Sequence, residues 1–314
     1  MKAIVDRRDM LKVALGGAVG LSLPFAGRML PAFGQTGGQT AAMKVTRLSD
    51  RVIMVSGNGG NVVAAKCADG VLMVDGGLEA QAEALLHLVA TELGSDNVHT
   101  LFNTHWHPEQ TGANKLLAKR GTHIISQANT KLWLSTDITP PYENRTYQPL
   151  PAAARPAEIF YRDWQKTFGD LEVKAGYLLQ AHTDGDIYVQ FPSENVLVGG
   201  GPLSNAGWPY MDWWTGGWIG GLADALGTLS DLADDKTIAV PANGGVMAKA
   251  DLVRQQKMYG DLFGKLRTDL FAALSPAESV AKQPAKDYVA EMGDPEQFLT
   301  LSFQSLWGHL SPDA

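Results

Sequence analysis

Short runs of apolar residues, broken by glycine and aspartate, begin at Lys44 and predict β-strands. There are four such runs before residue 75: Val45–Leu48, Val52–Ser56, Val62–Cys67 and Val71–Val74. Because only a few residues separate neighbouring runs, the pattern predicts an antiparallel meander.

The apolar spacing then changes from that of strands to that of helices. Between Leu78 and Leu93 it follows one face of a helix, and Thr100–Asn103 reads as a buried strand. A helix from about Gly112 to Lys119, a strand at Thr122–Ile125 and a short helix near Thr130 complete the first half.

The second half repeats this alternation. Its predicted strands are Leu171–Lys174, Ile187–Phe191, Val196–Val198 and Thr237–Val240, and its predicted helices are Gly217–Leu232 and Lys249–Leu266. Two sheets sandwiched between helices would bury the apolar face of every element. The proline-rich residues 137–165 predict a long loop, and 276–310 predict further helices without an assigned role.

The N-terminus predicts an export signal rather than part of the fold. Arg7 and Arg8 precede a weakly apolar run from Val13 to Ala26, a pattern that resembles the twin-arginine signal. We therefore predict a signal peptide and disordered linker over residues 1–42 and one domain over 43–314. The resemblance implies export in the folded state by the twin-arginine machinery, to the periplasm or beyond, without a stable membrane span in the mature protein.

Composition limits the kinds of ligand and of metal site that the chain can have. A hydrophobic content of 45% supports a well-buried core, whereas a net charge of −7 without a long basic run argues against nucleic-acid binding. The only cysteine, Cys67, excludes an internal disulfide and cysteine-rich zinc motifs. A metal ion would therefore be held by histidine, aspartate or glutamate.

Four segments carry the candidate chemistry. In chain order they are Asp75–Gly77, the H-x-H loop Thr104–Gly112, His182–Asp186 and Val196–Gly201. An H-x-H pair alone also fits surface histidines. Taken together, the order and spacing of the segments resemble the metallo-β-lactamase superfamily over about residues 44–266. The resemblance implies a four-layer αββα sandwich.

The same resemblance implies one intact metal site. His105, His107 and His182 match the three histidines of the first site. Four positions correspond to the second site: Glu109, Gln110, Gly201 and Asn243. Only Glu109 keeps a carboxylate, and amide oxygens are weak donors for zinc, so a two-metal mechanism is not expected.

Three imidazoles with an open fourth position suit a single divalent ion. Zinc is the first expectation, and the same donors also accommodate iron or manganese. Glu109 is the candidate general base. The resemblance places Asp75 beside the metal ligands, holding a ligand loop by hydrogen bonds; a simple turn residue at the end of a strand is the alternative.

Tryptophans are the candidate walls of a substrate pocket. The five are Trp106, Trp208, Trp213, Trp214 and Trp218. Aromatic linings are usual in small-molecule sites, and we expect about half of these residues to serve only as core. We expect the proline-rich loop, with Tyr142, Tyr147 and Tyr161, to close over the pocket.

Three functions remain open at this stage. The first is an exported single-metal hydrolase that acts on an ester, lactone or amide. The second is a non-catalytic protein that binds a small molecule, and the third is a mononuclear iron enzyme resembling an oxygenase. Neither the substrate nor the oligomeric state follows from the residues.

Overall fold

The computed structural model of the protein describes residues 42–310. The predicted signal peptide lies outside that range. Within it, the chain forms two β-sheets flanked by α-helices, and none of the helices is long and apolar enough to cross a membrane.

The first sheet has seven strands in sequence order. They are β1 (Lys44–Arg47), β2 (Val52–Asn58), β3 (Gly60–Cys67), β4 (Gly70–Val74), β5 (Val98–Phe102), β6 (His123–Gln127) and β7 (Glu158–Phe160). The first four pair antiparallel, as predicted, and β4 to β7 pair parallel. The intervening helices are α1 (Ala82–Leu93), α2 (Pro108–Thr111), α3 (Asn114–Lys119) and α4 (Ala128–Trp133).

The second sheet has five strands in the order β12-β11-β10-β9-β8. They are β8 (Asp163–Phe168), β9 (Leu171–Tyr177), β10 (Ile187–Phe191), β11 (Val196–Asn205) and β12 (Ile238–Gly244). Only β11 and β12 pair parallel. The remaining helices are α5 (Ile219–Leu232), α6 (Lys249–Phe271), α7 (Pro276–Ala281), α8 (Val289–Met292) and α9 (Glu296–Leu310).

Both faces of each sheet are covered. On β2, Val52 and Met54 enter the core shared by the two sheets, while Ile53 and Val55 pack with the residues of α1. This alternation follows from the two-residue period of a strand. The outer face of the second sheet packs against α5, α6 and α9. The predicted four-layer αββα fold is therefore confirmed.

Two predicted boundaries are wrong. The long loop predicted over 137–165 ends early, because β7 and the first three residues of β8 lie within that range. The side chains of β8 are mainly exposed, so the strand lacks the apolar period by which strands are recognised. Strand β11 also continues past Val198, through three glycines, to Asn205.

Candidate metal centre

Three buried histidines converge where strands of both sheets end. His105 and His107 follow the carboxyl end of β5, and His182 lies in the connection from β9 to β10. One ring nitrogen of each lies within 4.8 Å of those of the other two, and each histidine is at most 3% exposed. The convergence predicted from the sequence is confirmed.

Asp186 fixes the orientation of His182. Its Oδ1 lies 2.7 Å from His182 Nδ1, and its Oδ2 accepts hydrogen bonds from the backbone N–H groups of His182 and Thr183, both at 2.7 Å. Nδ1 is thereby engaged, and Nε2 is the atom offered to a metal ion. The sequence analysis assigned Asp186 no role of its own, whereas in the structure it orients His182, a candidate metal ligand.

Asp212 holds His107 in the same way. Its Oδ2 lies 3.1 Å from His107 Nε2, so Nδ1 is the atom that this geometry offers to an ion. The carboxylate is 1% exposed and also accepts hydrogen bonds from Trp106 Nε1 and the Tyr142 hydroxyl. The sequence analysis did not identify this residue.

The Asp212–His107 contact shifts both pKa values. Burial would raise the pKa of Asp212, but the hydrogen bonds from His107, Thr215 and Tyr142 outweigh it and lower that pKa. Burial would likewise lower the pKa of His107, but the hydrogen bond to Asp212 and its negative charge raise it. The pair therefore favours a charged imidazolium beside a carboxylate in the metal-free protein.

Asp75 acts on His105 through Thr104. Its carboxylate accepts the backbone N–H and the hydroxyl of Thr104, both at 2.8 Å, and the hydroxyl oxygen lies 3.0 Å from His105 Nδ1. Asp75 adopts a left-handed backbone conformation with φ at 65°, and burial raises its pKa to about 8. Burial and the two neighbouring imidazoles hold the pKa of His105 well below its usual value.

The three histidines border a cavity of about 190 Å³. All four positions assigned to the second metal site also line it: Glu109, Gln110, Gly201 and Asn243. Glu109 is 4% exposed, and its Oε2 has no hydrogen-bond partner among the described residues. Burial raises the pKa of this carboxyl, against the opposing effect of His107.

Gly201 has a steric role at this site. A Cβ atom at position 201 would overlap the imidazole of His182. The ring of a candidate first-site ligand thus fills the space beside a position that the family resemblance assigns to the second metal site.

The predicted tryptophans do not form one wall. Trp208 lines the histidine cavity, whereas Trp106 borders a neighbouring one. Trp213 donates its N–H to Gln304 Oε1 at 3.0 Å, and Trp214 is 43% exposed. Trp218 packs against Phe263 and His309, so it belongs to the helical layer and not to the pocket.

The proline-rich loop contacts the candidate metal centre through hydrogen bonds of its tyrosines. The Tyr142 hydroxyl donates to Asp212 Oδ1 at 2.9 Å, and the hydroxyls of Tyr147 and Tyr210 both donate to Glu143. Tyr210 also lines the histidine cavity. Tyr161, by contrast, is 69% exposed in the turn before β8, and its predicted closure over the pocket is wrong.

The donor set fits a divalent ion, because three imidazoles share one centre and each has a second ring nitrogen engaged by a neighbouring side chain. The carboxylates of Asp212 and Asp186 engage the second ring nitrogens of His107 and His182 and fix the orientation of these rings. The hydrogen bonds that orient the three histidines do not involve Gly201 or Asn243, two of the second-site positions that lack a metal ligand.

Comparison with known proteins gives consistent results. Residues 56–242 match the family model of the metallo-beta-lactamase superfamily. A metallo-beta-lactamase from Pontibacter korlensis is similar at 17% identity and a TM-score of 0.58, over 70% of this chain and 99% of that one. The DIM-1 metallo-beta-lactamase is similar at 13% identity and a TM-score of 0.57, over 71% and 99%.

A larger neighbour covers more of this chain. The stereoselective inverting sec-alkylsulfatase Pisa1 from Pseudomonas sp. is 12% identical with a TM-score of 0.65, over 86% of this chain but 51% of that one. At these identities the three solved structures establish the fold alone.

Proposed function

The chain belongs to the metallo-β-lactamase superfamily, and we propose that it is an exported hydrolase with a single metal site that acts on an ester, lactone or amide. The observation that carries this proposal is the placement of Glu109. This buried carboxylate lines the same small cavity as the three histidines, and one of its oxygens has no hydrogen-bond partner within residues 42–310.

His105, His107 and His182 would hold the ion, with zinc the first expectation and iron or manganese suited to the same donors. Such an ion supplies Lewis acidity, which polarises a substrate carbonyl and lowers the pKa of a water molecule. Asp186 and Asp212 keep two of the imidazoles oriented, so the site is formed before the substrate arrives.

Glu109 moves the proton. Its Oε2 accepts a proton from the attacking water as the new carbon–oxygen bond forms, and it returns that proton to the leaving oxygen or nitrogen as the scissile bond breaks. The raised pKa of Glu109 brings this carboxyl closer to the range in which it can both accept and return a proton.

The test is a panel of neutral esters, lactones and amides, with turnover and metal content measured together. We expect about one metal equivalent per chain. Glu109→Gln should lower turnover by about 10²–10⁴-fold with the metal retained, and His182→Ala should lose the metal. Glu172→Gln, at a half-exposed carboxylate, is the matched control and should leave both turnover and metal content unchanged.

A binding protein without catalysis is the second candidate, because Gln110, Gly201 and Asn243 supply no second metal site. It predicts a wild type inert towards the whole panel, with ligand affinity sensitive to Trp208→Ala and indifferent to Glu109→Gln. Full turnover by Glu109→Gln would instead contradict the role proposed for that residue. Iron in protein purified without added metal, together with inertness to the panel, would favour the iron enzyme.

A further inference from the structure

A second cavity, of about 510 Å³, borders the same H-x-H loop. Along residues 105–109 of this loop, successive side chains line the two cavities alternately. His105, His107 and Glu109 line the histidine cavity, whereas Trp106 and Pro108 line the second. Its volume lies in the range typical of small-molecule sites, about 300–1,000 Å³.

One part of the wall of this second cavity is apolar. Leu134, Ile138 and Leu150 line it together with the rings of three aromatic residues: Trp106, Trp133 and Tyr147. The polar atoms of these rings are already engaged. Trp106 Nε1 donates to Asp212, Trp133 Nε1 donates to Asp184 at 2.6 Å, and the Tyr147 hydroxyl donates to Glu143 at 2.6 Å. The aromatic groups therefore offer a ligand their apolar faces.

Two basic side chains lie at the rim of this cavity, Lys115 and Arg145. Lys115 is paired with Glu79 at 2.9 Å, so its charge is balanced. Arg145 lies with its guanidinium carbon 4.3 Å from the ring centroid of Tyr147, and it has no carboxylate within ion-pair distance in residues 42–310. An exposed guanidinium held over an aromatic ring is suited to bidentate binding of a carboxylate.

We propose that this second cavity binds a small amphipathic carboxylate. Its apolar part packs against Trp106 and Trp133, and its carboxylate pairs with Arg145. The proposal does not depend on the hydrolase activity, because none of its contacts requires a metal ion, although the Trp106 ring packs against His107.

Calorimetric titration of the metal-loaded protein with octanoate, octan-1-ol and octylamine tests this assignment, since the three probes share one chain length. We expect saturable binding of one octanoate, binding of octanol weaker by about tenfold or more, and no binding of octylamine. Arg145→Gln should reduce octanoate affinity to that of octanol.

Two further variants separate the cavity from its rim. Ala80 lines the cavity at an exposed position, so Ala80→Trp should block both octanoate and octanol without disturbing the core. Arg267→Gln is the matched control for Arg145, because Arg267 is also exposed and stacked on a ring, that of Phe263, at 5.5 Å. Ala272→Trp, at another exposed alanine, is the control for Ala80.

Four outcomes would overturn the proposal. Absence of octanoate binding, equal affinity in wild type and Arg145→Gln, or undiminished binding by Ala80→Trp would each do so. Binding that disappears when the metal is removed by chelation would place octanoate in the histidine cavity and would also overturn it.

Discussion

The side chain missing at Gly201 makes room for the imidazole of His182. We expect Gly201→Ala to displace that ring and to weaken zinc binding by about 10–100-fold, the loss typical when a metal ligand is misoriented. Gly245→Ala is the matched control, because the nearest atom to its added Cβ lies 3.8 Å away. Competition with a chelator measures both affinities.

Unchanged zinc affinity in Gly201→Ala would show that the His182 ring can adopt another position and still bind the ion. An aspartate at position 201 would meet the same steric obstacle. Replacing Gly201 alone is therefore not expected to add a second metal ion.

Asp212 gives metal binding a pH dependence through His107. The pKa of His107 is raised in the metal-free protein, so below that pKa the imidazole carries a proton that an ion must displace. Metal affinity should therefore fall as the pH falls, and binding should release about one proton from this site below the raised pKa and fewer above it.

Calorimetry in buffers of different ionisation enthalpy counts these protons. Asp212→Asn removes the charge that raises the pKa of His107, so it should release fewer protons near pH 6.5. Asp235→Asn changes an exposed carboxylate and should leave the count unchanged. Equal proton release in Asp212→Asn and the wild type would rule out this origin of the pH dependence.

Spacing in the sequence was sufficient for the three histidines and insufficient for the residues that orient them. His105 and His107 share a loop after a buried strand, and His182 begins a recognisable motif. Asp212 is 105 residues from His107 in the chain, and no local pattern relates the two. Such a contact is specified by how the two sheets pack.

At the scale of elements, buried strands were predictable because their apolar runs are continuous or alternate. Strand β8 was not predicted, since its exposed side chains carry no such pattern. The C-terminal helices were recognised without a role. In the structure, α9 packs beside the segment that carries Asp212, and Gln304 accepts a hydrogen bond from Trp213.

Helix α9 should therefore contribute to the stability of the fold. Phe303 is fully buried, so Phe303→Ala should lower the free energy of unfolding by about 3–5 kcal/mol. Phe271→Ala removes a phenylalanine that is 71% exposed and should cost less than about 0.5 kcal/mol. Denaturant unfolding measures both, and equal costs would exclude a core role for α9.

At the scale of the whole molecule, the four-layer architecture followed from the alternation of strands and helices in both halves of the sequence. Each amphipathic element needs a partner on its apolar face, and few arrangements provide one for all of them. Which residues meet at the seam between the sheets depends on packing. Asn61 on β3, for example, donates to the backbone oxygens of Pro241 and Gly244, both at 2.9 Å.

Export is the remaining prediction at this scale, and it concerns the order of folding and transport. A site assembled from β5, the β9–β10 connection and the segment before α5 exists only after the whole domain has folded. A route that carries folded proteins would therefore allow the metal to be loaded before export.

Arg7→Lys with Arg8→Lys should leave full-length precursor in the cytoplasm, because the arginine pair is the feature that resembles the signal. Arg47→Lys with Arg51→Lys changes two arginines of the domain itself and should not affect transport. Fractionation and immunoblotting measure the distribution, and normal periplasmic accumulation of the Arg7 and Arg8 double variant would show that another route exports the protein.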